Sequence, residues 1–483
     1  MQGVQYERFM RKNLNMVNQK SFWNNTLLYA FGFLFIRAVS FLLLPLHTNF
    51  LSPEVLGFVF LLLTLLAFLN TFFNHGMDSA MLKFFHEENY KEVISTSFLY
   101  SMVTSAFFIA ILVCLQNMLL SSFISNLNAF YFSATLSAIL FLDMLSSKSL
   151  NVLRMTNRPY YFLFICLVNV FSSLILNIVL IKNLGLGFDG ALFSIAGTAA
   201  IQFLCLCPVF FYYVRLKYFK TPLLLKMLCF ALPVFPSAVF LVAIELSDRW
   251  MLKWLDGVSS VGLYGAGYKI ATLILILVNS FNLNWQPYYL KNSSSLNYKN
   301  FEAIGSSFIL ILLFLCTGLS ISYPYFINLS FLGYKIVDSA FWPGTTIIPI
   351  IAFSYFFYGV FILQMPSIYL KNKQNWLPCF WGLGFLINFI GNLYLIPRFS
   401  FFGAATATLL SYFCMLLFIV YKNRTWLPLS YSLKPIFELA ITSFVVVFIL
   451  SNAVFNQNIN FICILLYCFR SMVIIKNNFI FPR

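Results

Sequence analysis

Two basic side chains, Arg37 and Lys269, fall deep inside long apolar runs. A cation at the centre of a bilayer costs roughly 2.5–3.5 kcal/mol on insertion scales, so each needs a reason. Arg37 stands in Phe33-Leu-Phe-Ile-Arg37-Ala-Val-Ser-Phe41, about nine to twelve residues from either end of its run. At 1.5 Å per residue that is roughly 14–18 Å, too far for easy snorkelling. It is either a cation that lines a water-filled cavity and meets an anionic substrate, or one half of an ion pair inside the bundle. Lys269 follows Gly262, Gly265, Ala266 and Gly267, small residues that admit a neighbouring backbone or a ligand. It carries the same two readings, and both cations can face one central cleft. Arg470 lies in a weak final run, where it snorkels or marks a segment that does not span.

The acidic candidates are fewer. Asp248 and Arg249 close one apolar run, and Glu245 stands one turn before Arg249, a spacing that suits an i,i+4 ion pair. This group is a clamp at the outer boundary or a gate that touches substrate. Asp143, near the cytoplasmic end of its run, is a coupling-ion site for a proton or sodium, or a partner for Lys148 or Arg154. His47, His75 and His86 sit at run ends with no metal spacing and no nucleophile beside them. No Walker-type phosphate loop occurs. No metal, cofactor, ATP hydrolysis or enzymatic step is expected. The 10 Cys lie mostly within apolar runs without paired spacing and read as small hydrophobes.

The elements that must hold these residues are membrane helices. The 483-residue chain is 61% hydrophobic and 9% charged, with a mean hydropathy of +0.86. Soluble domains carry about a quarter charged residues. Runs of about 20 apolar residues match a hydrocarbon core roughly 30 Å thick. About fourteen spans are predicted: 25–46, 54–74, 93–115, 127–147, 160–181, 189–213, 227–248, 260–282, 303–324, 344–365, 376–396, 402–421, 435–453 and 458–476. The runs are continuous rather than alternating, which argues against a strand barrel.

The net charge of +16 does not ask for a nucleic acid. With the N-terminus inside, 22 of the 30 Lys and Arg fall in cytoplasmic segments and 5 in the opposite loops. That is the positive-inside asymmetry, and it predicts cytoplasmic N- and C-termini. The N-terminal segment lacks the features of a cleaved signal, so the first span is expected to be a retained anchor. Connector 75–92, with Lys83, Phe84, Phe85, His86, Glu87, Glu88 and Lys91, is a surface amphipathic helix or a solvated loop.

An internal echo organises the whole. Asn177 to Gly190-Ala191 and Asn392 to Gly403-Ala404 both read as a helix end, a short turn and a Gly-Ala helix start. Ser52-Pro-Glu-Val-Leu-Gly57 is echoed by Ser259-Ser-Val-Gly262. Such duplication marks a transporter of two pseudo-symmetric halves. The expected organisation is a cytoplasmic segment 1–24, an N-lobe 25–213 of six helices and a linker 214–226. A C-lobe 227–421 of six helices follows, then two C-terminal helices and a tail in 422–483. The fold class is an all-α polytopic membrane protein.

These residues resemble a known family. Arg37-Ala-Val-Ser-Phe-Leu-Leu-Leu-Pro45 with Leu51-Ser-Pro-Glu-Val-Leu-Gly57, Pro233 through Asp248-Arg249, Val261-Gly-Leu-Tyr264 with Tyr268-Lys269-Ile-Ala271, and the paired Gly-Ala starts carry the likeness. Across nearly the whole chain they are similar to the Wzx-type O-antigen flippases. Those form the polysaccharide-export branch of the multidrug/oligosaccharidyl-lipid/polysaccharide superfamily, whose lobes are MATE-like. The resemblance implies a flippase of the bacterial inner membrane in lipopolysaccharide biosynthesis. Its substrate is an undecaprenyl-pyrophosphate-linked oligosaccharide, moved to the periplasmic leaflet by alternating access. Its expected partners are that lipid, bulk membrane lipids and other polysaccharide-assembly membrane proteins, with no nucleic acid. Arg37 and Lys269 would accompany the anionic headgroup, Arg249 and Asp248 the outer gate, and Asp143 a coupling ion. Three other readings stay open. They are a cation-coupled multidrug exporter, which should concentrate carboxylates in its cavity; a lipid II-type flippase; and a glycan polymerase or ligase, which should carry a long catalytic loop.

Overall fold

The computed structural model describes residues 41–85, 87–116, 129–291, 298–331, 333–429, 431, 433–451 and 469–474, with Leu28, Gly32, Phe35, Val39 and Tyr467. Arg37 and His86 lie outside the described residues.

The apolar runs become helices because a backbone in hydrocarbon must satisfy its own N–H and C=O groups. In chain order they are α1 (Pro53–Asn74), the short α2 (Met77–Phe84), α3 (Tyr90–Cys114), α4 (Ala129–Met155), α5 (Pro159–Asn177), α6 (Gly187–Tyr213), α7 (Thr221–Leu255), α8 (Val258–Lys291), α9 (Tyr298–Asn328), α10 (Ile348–Leu363), α11 (Leu377–Trp426) and α12 (Leu433–Ser451). Among the described residues nine helices are long and apolar enough to cross a membrane, or ten with the two stretches of α7 joined. The count of fourteen is therefore not reached in these residues. Much of the first and last expected spans lies outside them, and α11 contains two expected spans in one. Val103 is 70% exposed and Phe107 63%, an arrangement that lipid solvates and water would not.

The connector 75–92 holds a helix. Met77, Ala80, Met81 and Phe84 make one buried face of α2, packed with Val93, Phe98, Met144 and Met227. Its apolar stripe is thus covered by protein. The linker is shorter than 214–226, since α7 starts at Thr221. Two hydroxyls of α3 pin its first residues: Ser95 Oγ donates to the Tyr213 carbonyl (3.0 Å) and accepts from Arg215 N–H (3.2 Å), and Thr96 Oγ1 accepts from Lys220 N–H (3.1 Å).

Both Gly-Ala starts open the second arm of a helical hairpin. After α5 a π-helical turn, Ile178–Asn183, and Gly185 and Gly187 at positive φ (64° and 54°) reverse the chain into α6. In α11 the reversal is at Ser400, with φ 54° and ψ −135°. Its hydroxyl bonds the Asp256 carboxylate just past α7. A Cβ on Gly190 would lie 3.0 Å from the Leu180 carbonyl oxygen, and one on Gly403 only 2.3 Å from that of Leu395. Each glycine lets the returning helix touch the backbone of the outgoing one. Farther from each tip a polar pair crosses the hairpin: Asn169 Nδ2 donates to Gln202 Oε1 (2.6 Å), and Asn388 Nδ2 to Thr408 Oγ1 (3.3 Å).

The chain packs as two compact units, one of residues up to Leu42 with Phe72–Pro233, the other of Leu43–Thr71 with Val234 onwards. The chain passes from the first unit to the second between Pro233 and Val234, inside α7 and next to Pro236; these prolines remove N–H donors from the helical ladder. In the second unit the other echo explains itself. A Cβ on Gly57 would lie 2.2 Å from the Val258 carbonyl oxygen, and one on Gly262 1.9 Å from that of Pro53. The starts of α1 and α8 therefore cross glycine against backbone, reciprocally. A two-stranded hairpin, Ser330–Phe331 paired with Tyr334–Lys335, caps this unit, and Asn49 Nδ2 donates to the Lys335 carbonyl (2.7 Å).

Candidate functional site: a buried acid, arginine and tyrosine cluster beside Lys269

α7 continues past the expected end at 248 to Leu255, so Asp248 and Arg249 lie within the helix rather than at its mouth. Both are buried. Arg249 Nη1 donates to Asp248 Oδ1 (3.2 Å) and to the main-chain carbonyl of Glu245 (2.7 Å). The expected Glu245–Arg249 side-chain pair is replaced by this arrangement: the arginine reaches the carbonyl one turn back, and the adjacent aspartate supplies the counter-charge.

Tyrosines complete the cluster. The Tyr264 hydroxyl bonds the Asp248 carboxylate, and the Arg249 guanidinium lies 4.4 Å from the Tyr268 ring centroid and 5.7 Å from that of Tyr264. Tyr355 Oη donates to Tyr268 Oη (2.7 Å). Tyr264 and Tyr268 are one turn apart on α8, so both rings reach the same stretch of α7. Both oxygens of the buried Asp248 carboxylate are bonded, one to Arg249 and one to Tyr264, which is the condition on which a buried charge pair is tolerated.

Lys269 follows Tyr268 and stands about 16 Å along α8 from its start. It is half-buried, within electrostatic reach of Arg249. Among the described residues no carboxylate pairs with its ammonium; the group lies 5.0 Å from the centre of the Phe60 ring on α1. The structure thus brings Asp248, Arg249 and Lys269 into one neighbourhood but gives them unequal states. Arg249 is answered by a carboxylate, and Lys269, among the described residues, is not.

Asp143 is half-buried in α4. The Lys148 ammonium meets Asp78 at the start of α2 (3.1 Å) and Ser97 Oγ (3.4 Å). That pairing assigns Lys148 a partner the sequence did not suggest. Asp78 also accepts from Asn74 Nδ2 (2.6 Å) and Ser147 Oγ (3.2 Å). Arg470 forms an exposed ion pair with Glu438 of α12. Among the described residues no three His, Cys, Asp or Glu form a metal-ligating group.

Tyr264, Tyr268 and Tyr355 were not site candidates from sequence, although the Tyr264, Tyr268, Lys269 spacing was visible. Phe60 gave no signal, because one ring in a run of apolar residues looks like any other.

No curated protein sequence matches the chain. Solved structures match its fold. A lipid II flippase, MurJ, in an inward closed conformation aligns with a TM-score of 0.74 over 94% of this chain and 98% of its own, at 13% identity. A multidrug resistance MATE family transporter of the MOP superfamily, inward-facing, aligns with a TM-score of 0.60 over 80% of this chain and 94% of its own, at 13% identity. The Vibrio cholerae MATE transporter VcmN gives 0.56 over 84% and 97%, at 14% identity. At these identities the likeness is one of fold, that of a multi-pass membrane protein. Residues 22–293, more than half of the sequence, match the profile of a family described as polysaccharide biosynthesis protein, and the chain belongs to that family.

Proposed function

We propose that this protein is a flippase that carries an undecaprenyl-pyrophosphate-linked oligosaccharide, an O-antigen repeat unit, from the cytoplasmic to the periplasmic leaflet of the bacterial inner membrane by alternating access. The observation that carries the reading is Lys269, a cation in a membrane helix with no carboxylate partner among the described residues. An intramembrane charge left without a counter-ion is a binding site for the opposite charge. A pyrophosphate supplies that charge while the polyprenyl tail stays in lipid, and membership of a polysaccharide biosynthesis family supplies the glycan. Arg37 is proposed as the second headgroup cation. Arg249, already held by Asp248, joins the substrate only when that pair opens, which is how a gate residue acts. Asp143 is proposed as the coupling-ion carboxylate.

The test is complementation of a strain lacking its O-antigen flippase, read on a lipopolysaccharide gel. Laddering is expected with the native chain and lost in Lys269→Ala at equal membrane abundance. Full laddering by Lys269→Ala sinks the headgroup role. Alignment with MurJ over 94% of this chain favours one second reading, a lipid II-type substrate. Rescue of a strain depleted of its lipid II flippase, without O-antigen laddering, selects it.

A further inference from the structure

Arg249 and Lys269 show two ways of keeping a cation inside a bundle. A carboxylate neutralises the charge, whereas an aromatic face attracts the ammonium without supplying a counter-ion. Lys269 has the second arrangement, 5.0 Å from the centre of the Phe60 ring.

The ring is fixed by its surroundings. Phe60 is buried on α1, and a Cβ on Gly265 of α8 would lie 2.1 Å from its Cδ2. Gly57 and Gly262 hold the same two helices backbone to backbone one turn nearer their starts. The missing side chain at position 265 is the space the ring occupies, and Lys269 stands one turn farther along the same face of α8. A long, flexible ammonium in an apolar surround would otherwise swing toward the nearest water. A ring wedged against Gly265 gives it a fixed seat.

We propose that Phe60 is the positioning residue for Lys269: its ring face holds the ammonium by a cation–π contact where an anionic pyrophosphate meets it, with the counter-charge left for the ligand to supply. This rests on the reading that Lys269 binds the headgroup. It predicts an electronic requirement at position 60, distinct from the steric one set by Gly265.

The experiment replaces Phe60 with mono-, di- and trifluorophenylalanine by amber suppression. These lower the negative potential of the ring face stepwise at nearly constant size. Binding of undecaprenyl pyrophosphate to the full-length protein in phosphatidylcholine nanodiscs is measured for each. The expected result is a graded weakening that totals about 3- to 10-fold at the trifluoro ring, as loss of a partly desolvated cation–π contact implies. In a Lys269→Gln background binding should fall and the series go flat. A flat series in the native background, with binding still lost in Lys269→Gln, overturns the role of Phe60 and leaves the headgroup reading standing. Native-level binding by Lys269→Gln overturns the headgroup reading itself. A graded series that persists in Lys269→Gln shows that the ring acts through some other group, and overturns the proposal as well.

Discussion

At the scale of single residues, the first unit holds a test of buried charge away from the proposed substrate contact. Lys148 is 1% exposed and depends on Asp78 for its counter-charge. Removing one partner of a buried pair strands the other, at about 3–5 kcal/mol. Lys148→Met should therefore lower the melting temperature in detergent sharply, and Asp78→Asn added to it should recover most of the loss. No recovery would mean that the lysine acts through packing alone. Beside this pair, His75 is buried in the turn before α2, with Nδ1 near the carbonyls of Phe72 (3.2 Å) and Phe73 (3.1 Å), and its Nε2 has no hydrogen-bond partner among the described residues. Burial, opposed by those carbonyl contacts and aided by nearby Lys148, holds its pKa below the ordinary histidine value. The folded state thus favours the neutral ring, so the unfolded chain takes up the proton first as pH falls. Stability from this group is complete above about pH 6.5 and declines below it. His75→Gln should flatten the fall in melting temperature between roughly pH 7 and 5, and an unchanged slope would exclude the ring as its source.

At the scale of elements, the contacts that matter most are made by what glycines lack. A Cβ at Gly262 would sit 1.9 Å from the Pro53 carbonyl, a fixed backbone atom, so α1 and α8 would have to separate. Gly262→Ala is expected to destabilise by about 1–3 kcal/mol, the range for overpacking. Gly185→Ala, at φ 64° with nothing within 4 Å of the added atom, should lose only the smaller backbone term of about 1 kcal/mol. Equal losses in a thermal-shift comparison would show that backbone conformation, rather than helix contact, sets both. The helices themselves were legible because an apolar run of membrane length has few alternatives. The site was legible only in part. Asp248 and Arg249 interrupt the hydropathy of α7 as a helix end does, so a helix continuing to Leu255 around a satisfied ion pair looked like a boundary. Its stabilising partners, Tyr264, Tyr268 and Tyr355, come from other helices, and hydropathy along one segment carries no record of them. Phe60 is harder still, since its role follows from the absence of a side chain at Gly265.

At the scale of the whole molecule, the distribution of charge predicts an orientation. The turn after α10 carries Lys371 and Lys373, whereas the segment before it carries Lys335 alone. The apolar stretch Ile348–Leu370 between them has 23 residues, roughly 34 Å of helix and enough to span the hydrocarbon core once. A single crossing there predicts positions 334 and 373 on opposite faces of the membrane, and the excess of Lys and Arg predicts 373 on the cytoplasmic one. With the native cysteines replaced, Tyr334→Cys should react with a membrane-impermeant maleimide once the outer membrane is opened, and Lys373→Cys only after the inner membrane is also breached. Labelling of both without that breach would break the single-span assignment for α10. The reverse pattern would invert the topology and, with it, the leaflet from which substrate is collected. The direction proposed for export is thus tied to the same basic residues that give the chain its charge of +16.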